Sequence, residues 1–242
     1  VNSVIDLSLE KRPQFHYIRS YYSDEPMVHI GIYEEEAKLV LWNDVELGMA
    51  QMNENWNRPL NSRVKMDVWT NAEEVELFLN GRSLGTKVNL LDDPGQRNKT
   101  TWQVDYEPGV LKAVARTKGK LVAKHVVETV GEAVALKLEA DNPDWTADGF
   151  DLQHIRISAV DDQARIVFDA KELVKFSVEG PARLIGVDNG DMMTDELHVA
   201  KERSLHRGTA LAILRAGREA GRVTFTANAE GFEPVALTFE VK

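Results

Sequence analysis

Cysteine is absent from the 242 residues. That excludes disulfides, thiolate zinc sites, iron–sulfur clusters and thiol nucleophiles. It leaves the compartment open, because many exported bacterial domains also lack cysteine. Long apolar runs are missing as well. Nothing approaches the ~18–20 residues that a membrane-spanning helix needs, and no basic stretch leads into an apolar one as a secretory signal would. A membrane partner is therefore not expected. Positive charge is scarce: 29 Lys and Arg stand against 39 Asp and Glu, a net charge of −10. Long-range repulsion from phosphates makes nucleic acid a poor partner for such a chain. Helical periodicity is also thin, with short candidates only around Glu46–Met52 and Thr194–Lys201. The chain opens at Val1 without a methionine, as a mature product or a piece of something longer would.

What is present is globular. Hydrophobic residues make up 43% and charged residues 28%, enough apolar surface for real cores in one large domain or two ordinary ones. Period-2 alternation dominates. Val64, Met66 and Val68 alternate with Lys65, Asp67 and Trp69; Val75, Leu77 and Leu79 with Glu76 and Phe78; Ile155, Ile157 and Ala159 with His154, Arg156 and Ser158. Each pattern marks a strand with one buried face. Asn80-Gly81 and Lys118-Gly119-Lys120 read as tight hairpin turns, and Pro108-Gly109 and Gly180-Pro181 as further turn markers.

About a dozen to fourteen strands with few helices predict an all-β chain of two consecutive antiparallel sandwiches of ~100 residues each. The boundary falls near Gly131-Glu132. The division is an irregular N-terminal segment over 1–25, a first sandwich over 26–131 and a second over 132–242. Met27–Tyr33 reads as the first strand. The rest of residues 1–60 is loop with some helix.

Several motifs invite a chemical reading. Gly81-Arg82-Ser83-Leu84-Gly85 has the letters of a nucleophile elbow, but that chemistry needs a strand, a strained turn and then a helix. Here the letters follow a hairpin turn and run into Thr86-Lys87-Val88, so Ser83 belongs to a returning strand. Ser8-Leu9-Glu10-Lys11 matches S-x-x-K without its partner motifs. The histidines are His16, His29, His125, His154, His198 and His206. No two stand at i, i+4, so catalytic zinc finds no support in spacing. His154 reads as a solvated imidazole on the polar side of a strand. Asp188-Asn189-Gly190-Asp191 offers oxygen ligands for calcium, but lacks the alternating spacing of a calcium loop and reads as a turn held by Asx hydrogen bonds. Asp148, Asp151, Asp161 and Asp162 are treated alike. No cofactor or metal is assigned.

The tryptophans are Trp42, Trp56, Trp69, Trp102 and Trp145. A solvent-facing indole is a platform for a sugar ring. Trp102 reads as core. Trp69 is out of phase with Val68 and reads as outer-face. Trp56 in Asn53-Glu54-Asn55-Trp56-Asn57-Arg58 is the most sugar-like cluster, an aromatic among amides. Trp56, Asn55, Asn57 and Trp69 are thus the candidate carbohydrate contacts, with packing against a neighbouring domain as the competing explanation for Trp56. Paired carboxylates for glycoside hydrolysis must face each other across a cleft, and spacing cannot say which acids do.

Residues 69–85, Trp-Thr-Asn-Ala-Glu-Glu-Val-Glu-Leu-Phe-Leu-Asn-Gly-Arg-Ser-Leu-Gly, resemble a segment of glycoside hydrolase family 2 proteins of the bacterial β-galactosidase kind, where it lies in the immunoglobulin-like domain after the catalytic barrel. Residues 106–115 look like the strand pair that follows it there, 20–30 like the stretch where such chains leave the barrel, and 147–162 and 180–191 like their second C-terminal sandwich. The resemblance covers about residues 12–242. It implies that the two antiparallel β-sandwiches are immunoglobulin-like, that Ser83 sits in a noncatalytic hairpin, and that the family's catalytic glutamates lie on barrel strands that would precede Val1. No catalytic residue is carried over. Leu41-Trp42-Asn43-Asp44 matches the family's His-Trp-Asn-Trp stretch only partly. Ala164 stands where a turn glycine is common, and Phe168 where proline is.

The expectation is a noncatalytic C-terminal pair of sandwich modules, inactive alone, whose partner is the catalytic barrel of a parent glycoside hydrolase. Oligosaccharide is a second expected partner, and the expected compartment is periplasmic or extracellular in a bacterium. The alternatives are a freestanding carbohydrate-binding module, a surface adhesin of stacked immunoglobulin-like domains and, more distantly, an esterase.

Overall fold

The computed structural model describes residues 4–34, 40–42, 45–47 and 51–242. The chain divides into two compact units: Val1–Asp6 with Lys11–Thr129, and Leu7–Glu10 with Val130–Lys242. Each is built on two four-stranded antiparallel sheets, the all-β architecture that the alternation calls for.

In the first unit the helix α1 (Pro13–Tyr22) precedes strands β1 (Val28–Tyr33), β2 (Val40–Trp42), β3 (Val45–Leu47), β4 (Met52–Asn53), β5 (Arg63–Thr70), β6 (Glu74–Leu79), β7 (Arg82–Val88), β8 (Lys99–Asp105), β9 (Val110–Thr117) and β10 (Lys120–Glu128). The sheets run β4-β1-β5-β8 and β10-β9-β6-β7, with β2 and β3 as a separate hairpin. Alternation settles which residues face inward. Ile30, Ile32, Met66, Val68, Val75, Leu77, Leu79 and Leu111 share one core with Trp56 and Trp102. The β6–β7 hairpin turns at Asn80 and Gly81, with φ of 52° and 79°, the doubly positive pair of a type I′ turn. The Asn80 side chain accepts from Val110 N and donates to Pro108 O. It passes so close to Gly109 that a Cβ there would lie 1.9 Å from its Oδ1.

The second unit contains β11 (Ala135–Ala140), β12 (Leu152–Val160), β13 (Leu173–Glu179), β14 (Ala182–Asp188), β15 (Glu202–Ser204), β16 (Thr209–Ala216), β17 (Gly221–Ala229) and β18 (Val235–Val241). Its sheets are β11-β12-β16-β14 and β15-β13-β17-β18. Ile155, Ile157, Val174, Phe176, Leu214, Val223 and Phe225 form the core with Trp145. The Trp145 indole N–H donates to Asp151 O, and its ring meets Phe239 edge-on.

Eighteen strands are described, more than alternation finds, because β2, β3, β4 and β15 are two or three residues long and too short to show a period. The helix expected over Thr194–Lys201 is not formed; the segment is irregular. It is held by side chains instead, with Arg203 donating to Glu196 O and Asn189 Oδ1. Within the helix expected over Glu46–Met52, Glu46, Leu47 and Met52 are strand, and residues 48–50 lie outside the described residues, as do Asn43 and Asp44. The helix that does form, α1, starts with Pro13 at its first turn.

Candidate functional site

β1 carries the sequence Val-His-Ile-Gly-Ile-Tyr and is buried on both faces. Val28, Ile30 and Ile32 face the core, while His29 and Gly31 point outward beneath α1. The helix lies on this sheet because Pro13, His16, Tyr17 and Ser20 form one stripe at helical spacing. Tyr17 stacks on Trp69 at 5.9 Å between centroids, and His16 stacks on His29 at 3.6 Å with 7° between the ring planes. Gly31 is required here, since a Cβ would lie 2.5 Å from the Trp69 ring.

His29 is the centre of a polar cluster. Its exposure is 4%. Its Nε2 pairs with Glu54 Oε1 at 3.0 Å, although the approach is too oblique for a well-formed hydrogen bond. His125 from β10 packs on the other side, 4.1 Å between ring centroids. Its Nδ1 accepts from Ile30 N at 3.2 Å. A neutral imidazole that accepts at Nδ1 carries its proton on Nε2. Burial drives the His16 and His125 pKa values down to about 4, helped by repulsion from His29; Glu54 opposes the shift in both. For Glu54, burial pushes upward, but the three histidines prevail and hold its carboxyl below the usual range. His16, His29 and Glu54 each bring a coordinating atom within 4.8 Å of the others. No spacing rule finds this cluster, because its members come from a helix, a strand and a loop far apart in sequence.

The expected sugar contacts need correction on physical grounds. Trp56 has 0% exposure; it meets Tyr106 edge-on and donates its indole N–H to Glu107 O. Its neighbouring amides serve the backbone: Asn53 Oδ1 accepts from Asn55 N, and Asn55 Oδ1 from Asn57 N. Asn55 is buried and Asn57 half-buried. Trp69 does face away from Val68, but α1 covers it and its exposure is 2%. Neither indole offers a free face for a sugar ring. In the second unit, Asp188, Asn189 and Asp191 each accept from the backbone N–H two residues on, the Asx hydrogen bonds of the expected turn. Asp148 does likewise with Phe150 N and Asp151 N. Ser83 is exposed on β7, and its Oγ donates to Glu76 Oε1 at 2.7 Å.

An open groove of about 540 Å³ lies on the second unit, with Phe150, Arg183, Arg215 and Arg218 on its walls. Phe150 is 70% exposed. Arg183 and Arg215 are direct cross-strand partners.

Residues 136–238 match the family described as glycoside hydrolase family 2 C-terminal domain 5, and residues 61–123 match a domain of unknown function, DUF4982. The chain is 32% identical over 197 residues to the β-galactosidase BoGH2A of Bacteroides ovatus, a match covering 81% of this chain and 22% of that protein. It is 29% identical over 233 residues to a β-glucuronidase of Formosa agariphila, covering 93% and 20%. Among solved structures, a glycosyl hydrolase family 2 member from Bacteroides cellulosilyticus superposes with a TM-score of 0.93 at 34% identity, covering 99% of this chain and 31% of that one. The chain thus spans about a fifth of the length of these curated relatives.

Proposed function

We propose, for a chain that belongs to the C-terminal immunoglobulin-like region of glycoside hydrolase family 2 proteins, that it supports the catalytic barrel of a larger enzyme and performs no hydrolysis itself. The observation that carries this reading is the fraction matched. Relatives named as β-galactosidase and β-glucuronidase align with 81% and 93% of the chain, yet the chain supplies only about a fifth of their length. Two sandwiches with closed cores are suited to scaffolding. The test is deletion: a parent enzyme lacking the segment equivalent to residues 1–242 loses thermal stability or substrate range, whereas an unchanged enzyme refutes the supporting role.

We also propose domain boundaries of 1–25, 26–131 and 132–242. Limited proteolysis that releases a stable piece beginning near 131–135 supports them; first cleavage within 150–160 argues against them, because residues 152–160 of that run are the largely buried strand β12.

A glycan contact belongs to the same reading, relocated from Trp56 and Trp69. The groove beside Phe150 favours an acidic sugar. Like charges directly opposite on a sheet destabilise it, and a carboxylate or sulfate held by Arg183 and Arg215 would relieve that repulsion. Binding of an acidic oligosaccharide that vanishes in Arg215→Ala supports the contact; no binding removes it.

A further inference from the structure

We propose that His16, His29 and Glu54 form a binding site for one divalent first-row transition-metal ion, with zinc the best fit. Among the described residues this is the group of His, Asp and Glu whose coordinating atoms converge, all within 4.8 Å of one another. Two imidazoles and one carboxylate are a donor set that zinc accepts, with a fourth position left for water. Calcium and magnesium prefer oxygen alone.

The second observation is the buried nitrogen. His29 Nε2 is shut away from solvent and meets Glu54 Oε1 at 3.0 Å without a well-aligned hydrogen bond. A buried polar atom so poorly satisfied keeps part of its desolvation penalty, and an ion seated between His29 and Glu54 would bond both groups in its place. Glu54 supplies the counter-charge from 3.0 Å away. His125 is not a ligand. Its Nδ1 is engaged by Ile30 N, so it braces the His29 ring as a positioning residue.

The ring geometry adds a specific requirement. A metal binds an imidazole in the plane of the ring. His16 and His29 lie parallel at 3.6 Å, so one ion cannot sit in both planes as they stand. His16 is half-buried on a surface helix and His29 is enclosed, so His16 is the ring that turns. Loading the site therefore breaks the His16–His29 stack.

The experiment uses the 242-residue chain, purified without a polyhistidine tag and stripped with EDTA. It is titrated with zinc sulfate by calorimetry, and with cobalt(II) by visible absorption. The expected result is one ion per chain and the intense d–d bands of a four- or five-coordinate cobalt site. His16→Gln and Glu54→Gln each weaken binding by about tenfold or more, whereas His154→Gln, in the second unit, leaves it unchanged. If a variant fails to fold, histidine proton resonances of the native chain decide: zinc shifts His16 and His29 and leaves His154, His198 and His206 in place. The proposal is overturned by no stoichiometric binding at tens of micromolar zinc, by binding that survives both site substitutions, or by shifts confined to the other histidines.

Discussion

Asp161 and Arg165 clasp each other across the turn that follows β12, with the guanidinium Nε and Nη2 lying 2.9 and 2.6 Å from one carboxylate oxygen. The same carboxylate accepts from the backbone N–H groups of Gly131, Gln163 and Arg165. It therefore fastens the first residues of the second unit to the end of β12. The Arg165 guanidinium, aided by those N–H groups, holds the Asp161 carboxyl far below the usual carboxylate range.

The folded state keeps Asp161 ionised where the unfolded chain takes up a proton near pH ~4, so its stabilisation is complete above that value and fades as the pH falls below it. Asp161→Asn should lower the melting temperature of the second unit at pH 7 by several degrees and flatten its decline below pH ~4. Calorimetric scans between pH 7 and pH 2 measure both. An unaltered acid limb would mean that this clasp does not bear on stability.

Ala164, between Gln163 and Arg165 in the same turn, holds φ at 60°. A left-handed conformation costs an L-residue about 1–2 kcal/mol, and glycine avoids that cost while losing about 0.5–1 kcal/mol of chain entropy. Ala164→Gly should therefore stabilise the second unit by about 0.5–1 kcal/mol. Urea denaturation would show a higher midpoint with an unchanged slope; a lower midpoint would mean that the turn is not strained.

Much of the fold was legible because sandwich strands write their inward face into every second residue. β5, β6 and β12 lie where Val64–Trp69, Val75–Leu79 and Ile155–Ala159 alternate. α1 was hidden for the opposite reason: its buried stripe of Pro13, His16, Tyr17 and Ser20 has helical spacing but no aliphatic residue to register as amphipathic. Trp56 and its amides imitated a sugar site because composition does not reveal that the amides cap the backbone or that the indole fills a core. The cluster of His16, His29, Glu54 and His125 is created by tertiary folding, and sequence spacing carries no trace of it.

That cluster also predicts a pH response. His16 and His125 are held at about 4, whereas histidines of the unfolded chain protonate near ~6.5. The unfolded state binds more protons in between, so the first unit is fully stable above pH ~6.5 and loses stability as the pH falls toward about 4. Glu54, with its lowered pKa, adds to the loss only at the acid end. His125→Asn keeps an acceptor for Ile30 N and removes the titrating ring. It should shrink the change in melting temperature between pH ~6.5 and ~4.5; an identical slope would show that His125 does not contribute.

The central claim is that these two sandwiches serve a glycoside hydrolase without carrying its chemistry. The most direct measurement is activity of the 242-residue chain alone on p-nitrophenyl β-galactoside, p-nitrophenyl β-glucuronide and p-nitrophenyl acetate, beside a Ser83→Ala control. The expected result is no turnover of any of the three above that control, because Ser83 donates to Glu76, a carboxylate that Ser83 and the Arg116 guanidinium hold below its usual range and so make a poor base. Saturable glycosidase activity, abolished by a single Glu→Gln substitution within this chain, would contradict the claim.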